Sequence, residues 1–70
     1  MEFTAVIAKN GHLYLDYFTL EEHELEGCYG SAHLMSGIAS AIYREKHPEH
    51  KATTVLVGKY EMRNGKLTKL

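Results

Sequence analysis

The residue types that could do chemistry in this chain of 70 residues are five histidines and one cysteine. Two groups stand out by their spacing. One is His23, Cys28 and His33, with four residues between each and the next, and the other is the run HPEH at positions 47–50. Imidazole, thiolate and carboxylate are the usual ligands of a tetrahedral zinc ion. However, the spacing matches no standard zinc finger, and the ligands would have to converge from separate segments. We therefore expect solvated histidines, no metal and no cofactor.

A thiol nucleophile is the other chemistry that these residues suggest. Cys28 precedes a predicted helix and lies near His33 in the sequence, an arrangement found around reactive cysteines. No third residue that would orient the pair can be identified. The segment 27–31 also lacks the lysine of a phosphate-binding loop. The sequence therefore predicts that the protein is not an enzyme and has no catalytic residues.

Length and composition indicate one small domain, residues 1–70, with 44% hydrophobic and 24% charged residues. These proportions are typical of soluble globular domains. One cysteine excludes an intramolecular disulfide framework. Apolar runs stay far below the ~20 residues of a membrane span, and the N-terminus lacks the basic start of a signal peptide. We therefore expect a protein of the cytoplasm, or of the host cytoplasm if it is encoded by a phage.

The formal net charge of −1 conceals an asymmetry along the chain. Residues 1–35 contain six acidic residues and one basic residue, whereas residues 36–70 contain three acidic and seven basic residues. Two surfaces follow as candidate contact regions. The first, the acidic patch, consists of Asp16, Glu21, Glu22, Glu24 and Glu26. The second, the basic hairpin, contains Lys59, Arg63, Lys66 and Lys69.

The elements that carry these residues begin with a β-hairpin. Asn10-Gly11 lies between two β-rich runs and predicts a two-residue type I′ turn, which pairs Lys9 with His12 and Phe3 with Phe18. Alternation along both strands then defines two faces. One is the aromatic face, with Phe3, Ile7, Tyr14 and Phe18 alongside Ala5 and Asp16. The other is the aliphatic face, with Thr4, Val6, Ala8, Leu13, Leu15 and Tyr17.

Both faces are apolar, which a sheet with only one buried side does not require. We expect the aliphatic face to form the internal core. The aromatic face then needs cover from the rest of the chain, from a second copy in a homodimer, or from another protein.

The remaining segments predict two helices and a second hairpin. Thr19 and Glu22 fit a capping box that starts a short acidic helical turn, and Ser31 is the expected N-cap of a main helix over about 32–46. Residues 53–63 predict one strand with a bulge at Gly58, and Asn64-Gly65 predicts a second hairpin. The predicted fold is α+β in the order β-β-α-α-β-β: an antiparallel sheet of about four strands, formed by two hairpins and backed by one main helix.

The first part of the chain resembles a known family. The run Phe3-Thr4-Ala5-Val6-Ile7, a turn, Tyr14, and then Glu24-Leu25-Glu26-Gly27-Cys28 before a helix resemble the start of HicB-like antitoxin domains over about forty residues. Glu26 stands where that family usually has a proline, and the Gly-Asp-Thr that starts its helix is missing. The resemblance implies an antitoxin-type domain and assigns no role to single residues.

These observations predict a non-enzymatic protein-binding module. We expect a small inhibitor that occupies a surface of a larger host or toxin protein, because apolar strand surface and an acidic patch occur without a convincing catalytic set. Short length without motifs is also typical of phage accessory proteins such as anti-CRISPR inhibitors. The alternative is a small nucleic-acid-binding protein that uses the basic hairpin and Tyr60, against which the sequence pI of about 6.5 weighs.

Overall fold

The computed structural model describes residues 1–25, 27 and 30–70, with the backbone alone at residues 52 and 53. The elements follow in the order β1 (Glu2–Lys9), β2 (His12–Thr19), a 3-10 helix (Glu22–Leu25), α1 (Ala32–Lys46), β3 (Ala52–Val57), β4 (Tyr60–Arg63) and β5 (Lys66–Lys69). All strand pairs are antiparallel. The predicted α+β class is confirmed.

Both predicted hairpins form with the predicted registers. Asn10 and Gly11 have φ values of 52° and 77°, as a type I′ turn requires, and Asn64 and Gly65 repeat the pattern at 51° and 76°. Phe3 lies opposite Phe18, and Met62 lies opposite Leu67. Because a two-residue turn fixes which residues face each other, the sequence was sufficient to predict these pairings.

The segment predicted as one strand with a bulge at Gly58 is divided into two strands. β3 joins the first sheet, which has the order β2-β1-β3, whereas β4 and β5 form a separate two-stranded sheet. Gly58 has a φ of +104°, a conformation that residues with a side chain rarely adopt. The chain therefore leaves the first sheet at this glycine.

Helix α1 begins and ends as predicted. The Ser31 hydroxyl accepts a hydrogen bond from the Leu34 amide at 3.5 Å, which satisfies one free donor at the helix N-terminus. The buried stripe consists of Met35, Ala39 and Tyr43, spaced by four residues. Tyr43 completes this buried stripe, whereas Leu34 is 53% exposed.

The predicted assignment of the two hairpin faces is wrong. The main core lies between α1 and the aromatic face and contains Phe3, Ala5 and Ile7. Phe18 stacks on Phe3 with ring centroids 5.5 Å apart and contacts the Tyr43 ring at 5.2 Å. The large rings fill the space under the helix, so Phe3 and Ile7 are not available as a self-interface.

The acidic turn also differs from its prediction. Thr19 ends β2 instead of capping a helix, and the 3-10 helix begins at Glu22. The Glu24 carboxylate accepts a hydrogen bond from the Glu21 amide at 3.1 Å, so the cap is shifted two residues along the chain. Leu25 anchors the turn, because its side chain is fully buried in the core beneath α1.

Within the described part of the chain, none of the helices combines the length and apolar character needed to cross a bilayer.

Candidate functional site

The outer edge of β2 presents unpaired backbone groups. Met1 and Leu20 exchange both of their backbone hydrogen bonds, at 3.0 Å each. In an antiparallel pair such positions alternate with positions that do not bond across the pair. Since Leu20 bonds to β1, every second residue before it on β2 also bonds to β1, and the residues between them do not. The amide and carbonyl groups of Leu13, Leu15 and Tyr17 therefore point away from β1. Among the described residues, no strand pairs with this side of β2.

The opposite edge of the same sheet is partly covered by α1. The Ser36 hydroxyl of α1 donates a hydrogen bond to the Val55 carbonyl of β3, on the side of β3 that faces away from β1. Lys69 and Tyr60 lie beside the same edge, where they line a shallow depression with Val55 and Val57. The β3 edge is therefore partly covered by α1, whereas the outer edge of β2 is accessible.

The aliphatic face lies on the side of the sheet opposite α1. Leu13 is 51% exposed and Tyr17 is 43% exposed, while Leu15 and Leu56 are half-buried. Val6, at the centre of this face, is buried by its neighbours on the sheet. The result is an apolar strip beside the accessible edge of β2.

Thr4 closes one end of the aliphatic face. Its hydroxyl donates a hydrogen bond to the Gly58 carbonyl at 2.8 Å and accepts one from the Tyr60 amide at 3.0 Å. The Tyr17 hydroxyl donates to the Tyr60 carbonyl at 2.6 Å. These bonds attach the start of β4 to the first sheet and leave the end near Leu13 open.

The basic hairpin is partly engaged within the chain. Lys59 lies over the Tyr17 ring at 5.2 Å from its centroid, which is a cation–π contact. Arg63 forms an ion pair with Glu61. The Lys69 side chain lies against Gly58, and Lys66 is exposed. Fewer cations are thus free for a phosphate backbone than the sequence suggested.

The acidic patch is divided by the structure. Glu21 and Glu22 are exposed at the start of the 3-10 helix, and Glu24 is half-buried. Leu25 of the same helix lies in the core on the helix side of the sheet. Asp16 is half-buried and accepts a hydrogen bond from Tyr43 instead of standing free at the surface. Glu26 lies outside the described residues.

The structure brings together a cluster of polar side chains that the sequence did not predict. This polar cluster lies at the C-terminal end of α1 and contains Asp16, Tyr43, His47, Glu49 and His50. The Tyr43 hydroxyl is 2.7 Å from Asp16 Oδ2 and 2.9 Å from His50 Nδ1. Glu49 Oε1 is 3.4 Å from His47 Nδ1 and 3.8 Å from His50 Nε2. An open depression of about 580 Å³ adjoins His50, Asp16 and Tyr14.

The protonation of two members of the polar cluster follows from their surroundings. Burial raises the pKa of the Tyr43 phenol, and the hydrogen bond and negative charge of Asp16 raise it further. The hydrogen bond from its own backbone amide lowers the pKa of Glu49, and His47 and His50 act in the same direction. Tyr43 is therefore a neutral donor and Glu49 a carboxylate at neutral pH.

Two sequence signals could have found this cluster. Tyr43 continues the four-residue spacing of Met35 and Ala39, which predicts a buried position for its ring. The run HPEH was recognised, but as solvated residues. Asp16 could not be linked to Tyr43 from sequence, because the two are 27 residues apart.

The other candidate metal ligands are His23, Cys28 and His33. His23 and His33 are exposed, and Cys28 lies outside the described residues. Among the residues described, His47, Glu49 and His50 form a group whose possible ligand atoms all lie within 4.8 Å of one another.

Comparison with known protein families, curated proteins and solved structures finds no match to this chain.

Proposed function

We propose that this chain is a non-enzymatic protein-binding module that adds an extended segment of a larger protein to the outer edge of β2. The observation that carries this proposal is the row of outward backbone groups on Leu13, Leu15 and Tyr17, with no paired strand among the described residues. An exposed edge of this kind is a template for strand addition. Main-chain hydrogen bonds then supply affinity.

Side chains beside the same edge supply specificity. Leu13, Leu15 and Tyr17 point their side chains to the aliphatic face, on which the apolar strip lies. An added strand would place every second side chain on that face. The expected partner segment is therefore extended, with apolar residues at alternate positions.

The β2 edge carries few of the features that protect edge strands from pairing. Lysine and proline are common protective residues, and β2 contains neither in its eight positions. Its single charged residue, Asp16, has its carboxylate bonded to Tyr43. Occupation by a partner explains why so apolar an edge is retained.

The proposed consequence of binding is inhibition by occupation. A segment that pairs with β2 is withdrawn from whatever it binds within its own protein, which is the action of a small antagonist or an antitoxin-type domain. The exposed Glu21 and Glu22, together with the half-buried Glu24, would accelerate association with a basic partner, because long-range attraction acts mainly on the association rate.

Nucleic-acid binding by the basic hairpin is less well supported. Lys59 contacts Tyr17 and Arg63 is paired with Glu61, so both would have to give up an internal contact to neutralise phosphates. Binding to mixed oligonucleotides that weakens steeply with salt, and that survives a blocked β2 edge, would support this alternative and contradict our proposal.

The test begins with a photoreactive residue at position 13 of the full chain, with the exposed Ala41 of α1 as the control position. A partner protein that crosslinks to position 13 but not to position 41 is then purified, and its affinity for this chain is measured. Leu13→Pro removes an outward amide without removing a bond to β1, and Leu13→Val keeps the amide.

We expect Leu13→Pro to weaken binding about tenfold or more, since one hydrogen bond and one apolar contact are lost. Leu13→Val should bind within a few-fold of the parent. Equal binding by both variants, with circular dichroism showing both folded, would overturn the proposal. So would sedimentation showing a homodimer that Leu13→Pro dissociates, because a second copy would then occupy the edge.

A further inference from the structure

The hydrogen bonds of the polar cluster determine where the proton of His50 lies. Tyr43 has one hydroxyl hydrogen, and the Asp16 carboxylate, 2.7 Å away, can only accept it. The Tyr43 oxygen then offers a lone pair to His50 Nδ1 at 2.9 Å, so that nitrogen is the donor. In neutral His50 the other nitrogen, Nε2, is left without a hydrogen and has a free lone pair.

The free nitrogen of His50 lies close to two further donor atoms. Nε2 is 3.8 Å from Glu49 Oε1, and the same oxygen is 3.4 Å from His47 Nδ1. Ligands bound to one tetrahedral zinc ion at 2.0–2.1 Å lie about 3.4 Å apart. The separations of both histidine nitrogens from the Glu49 oxygen are therefore already close to those that a bound ion requires.

We propose that His47, Glu49 and His50 bind a divalent transition-metal ion of the zinc class. Two imidazole nitrogens and one carboxylate oxygen are a known protein ligand set for zinc that leaves one coordination position open. Nitrogen donors favour zinc, nickel and copper over magnesium and calcium, which prefer oxygen. This site is separate from the proposed binding edge and does not depend on it.

One rearrangement must accompany binding. The rings of His47 and His50 are stacked, with centroids 5.3 Å apart and an angle of 12° between their planes. A metal ion lies in the plane of each imidazole that binds it, so parallel rings cannot both point at one ion. His50 is held by Tyr43, and His47 is therefore the ring that turns. The half-exposed position of His47 allows this movement.

Tyr43 is a positioning residue in this arrangement. It does not reach the ion, but its bond to Nδ1 presents the Nε2 atom of His50 to the site, and Asp16 fixes the direction of that bond. Mutation of a residue that hydrogen-bonds to a metal ligand in this way typically weakens metal binding by about 10–100-fold.

The experiment is calorimetric titration of the full chain, without a histidine tag, with Zn²⁺ alone. A Cys28→Ser parent removes the competing thiol. We expect one ion per chain in this parent, and His47→Ala or His50→Ala should abolish binding. His12→Ala and His33→Ala are the matched controls, because both histidines are exposed and lie outside the polar cluster; each should bind as the parent does.

Tyr43→Phe separates positioning from ligation. We expect about tenfold weaker Zn²⁺ binding with unchanged stoichiometry, provided that circular dichroism shows a folded chain. Cobalt absorption typical of a four-coordinate site should appear in the parent and disappear in His50→Ala. Failure of the Cys28→Ser parent to bind Zn²⁺, or equal binding by His50→Ala and the parent, would overturn the proposed site.

Discussion

Thr4 shows how one side chain can join two sheets. It is fully buried, and its hydroxyl is bonded to both the Gly58 carbonyl and the Tyr60 amide. These backbone groups lie where the chain leaves β3, so the sheet ladders do not provide them with other partners. The Thr4 hydroxyl is thus the buried one of the two hydroxyls that attach the β4–β5 sheet, the other being that of Tyr17.

Replacement of Thr4 by valine should therefore destabilise the protein. Valine has nearly the same shape but leaves a buried amide and carbonyl without partners, at a cost of about 1–3 kcal/mol in the free energy of unfolding. Urea denaturation measures this loss. Thr54→Val is the control, because Thr54 is an exposed residue on the same sheet face and should change stability by less than about 0.5 kcal/mol. Equal effects of the two substitutions would contradict the role given to Thr4.

At the scale of elements, Gly58 separates two strands that the sequence suggested were one. Its φ of +104° is a backbone conformation that glycine adopts readily and other residues adopt rarely. A Cβ atom at this position would lie 3.0 Å from Lys69 Cε. Its amide also donates to the Glu2 carbonyl at 2.8 Å. The turn is therefore fixed by conformation and by hydrogen bonding together.

Two alanine substitutions should have opposite effects on stability. Gly58→Ala places a side chain in a strained conformation and should destabilise the fold by about 1–3 kcal/mol. Gly37→Ala lies on α1 with open space around the added Cβ, and should stabilise the fold by about 0.5–1 kcal/mol. Thermal unfolding followed by circular dichroism distinguishes the signs. Stabilisation by Gly58→Ala would be incompatible with the backbone described at this position.

The elements also show which features were predictable from sequence. Asn10-Gly11 and Asn64-Gly65 dictate their hairpin registers, because a type I′ turn leaves little choice of pairing. The burial of each face was not predictable from alternation, because both faces are apolar. Which face is buried depends on α1, because its Ala39 and Tyr43 lie in the same core as Phe3, and the Tyr43 ring contacts Phe18.

For the whole molecule, the two candidate sites differ in how far the sequence could reveal them. The β2 edge requires knowledge of strand order, since β3 pairs with β1 from a distant part of the chain and leaves β2 outside. The polar cluster requires tertiary packing to bring Asp16 to Tyr43. Local patterns predict elements well, whereas sites assembled from several elements depend on long-range contacts.

The proposed metal site and the β2 edge should bind their ligands independently of each other. The proposed ion binds at the C-terminal end of α1, whereas the proposed partner pairs along β2. Leu13→Pro should therefore leave Zn²⁺ titration unchanged, and His47→Ala should leave partner affinity unchanged. Loss of both Zn²⁺ binding and partner binding in either folded variant would mean that the two sites are coupled.

The most direct test of strand addition is amide hydrogen exchange, resolved by residue, on the free chain and on its complex with the crosslinked partner. In the free chain, the amides of Tyr14 and Asp16 should exchange slowly because they bond to β1, and those of Leu13, Leu15 and Tyr17 should exchange quickly. Binding should protect the amides of Leu13, Leu15 and Tyr17 from exchange. Protection confined to β4 and β5 or to the 3-10 helix, with these three amides still exchanging quickly, would contradict it.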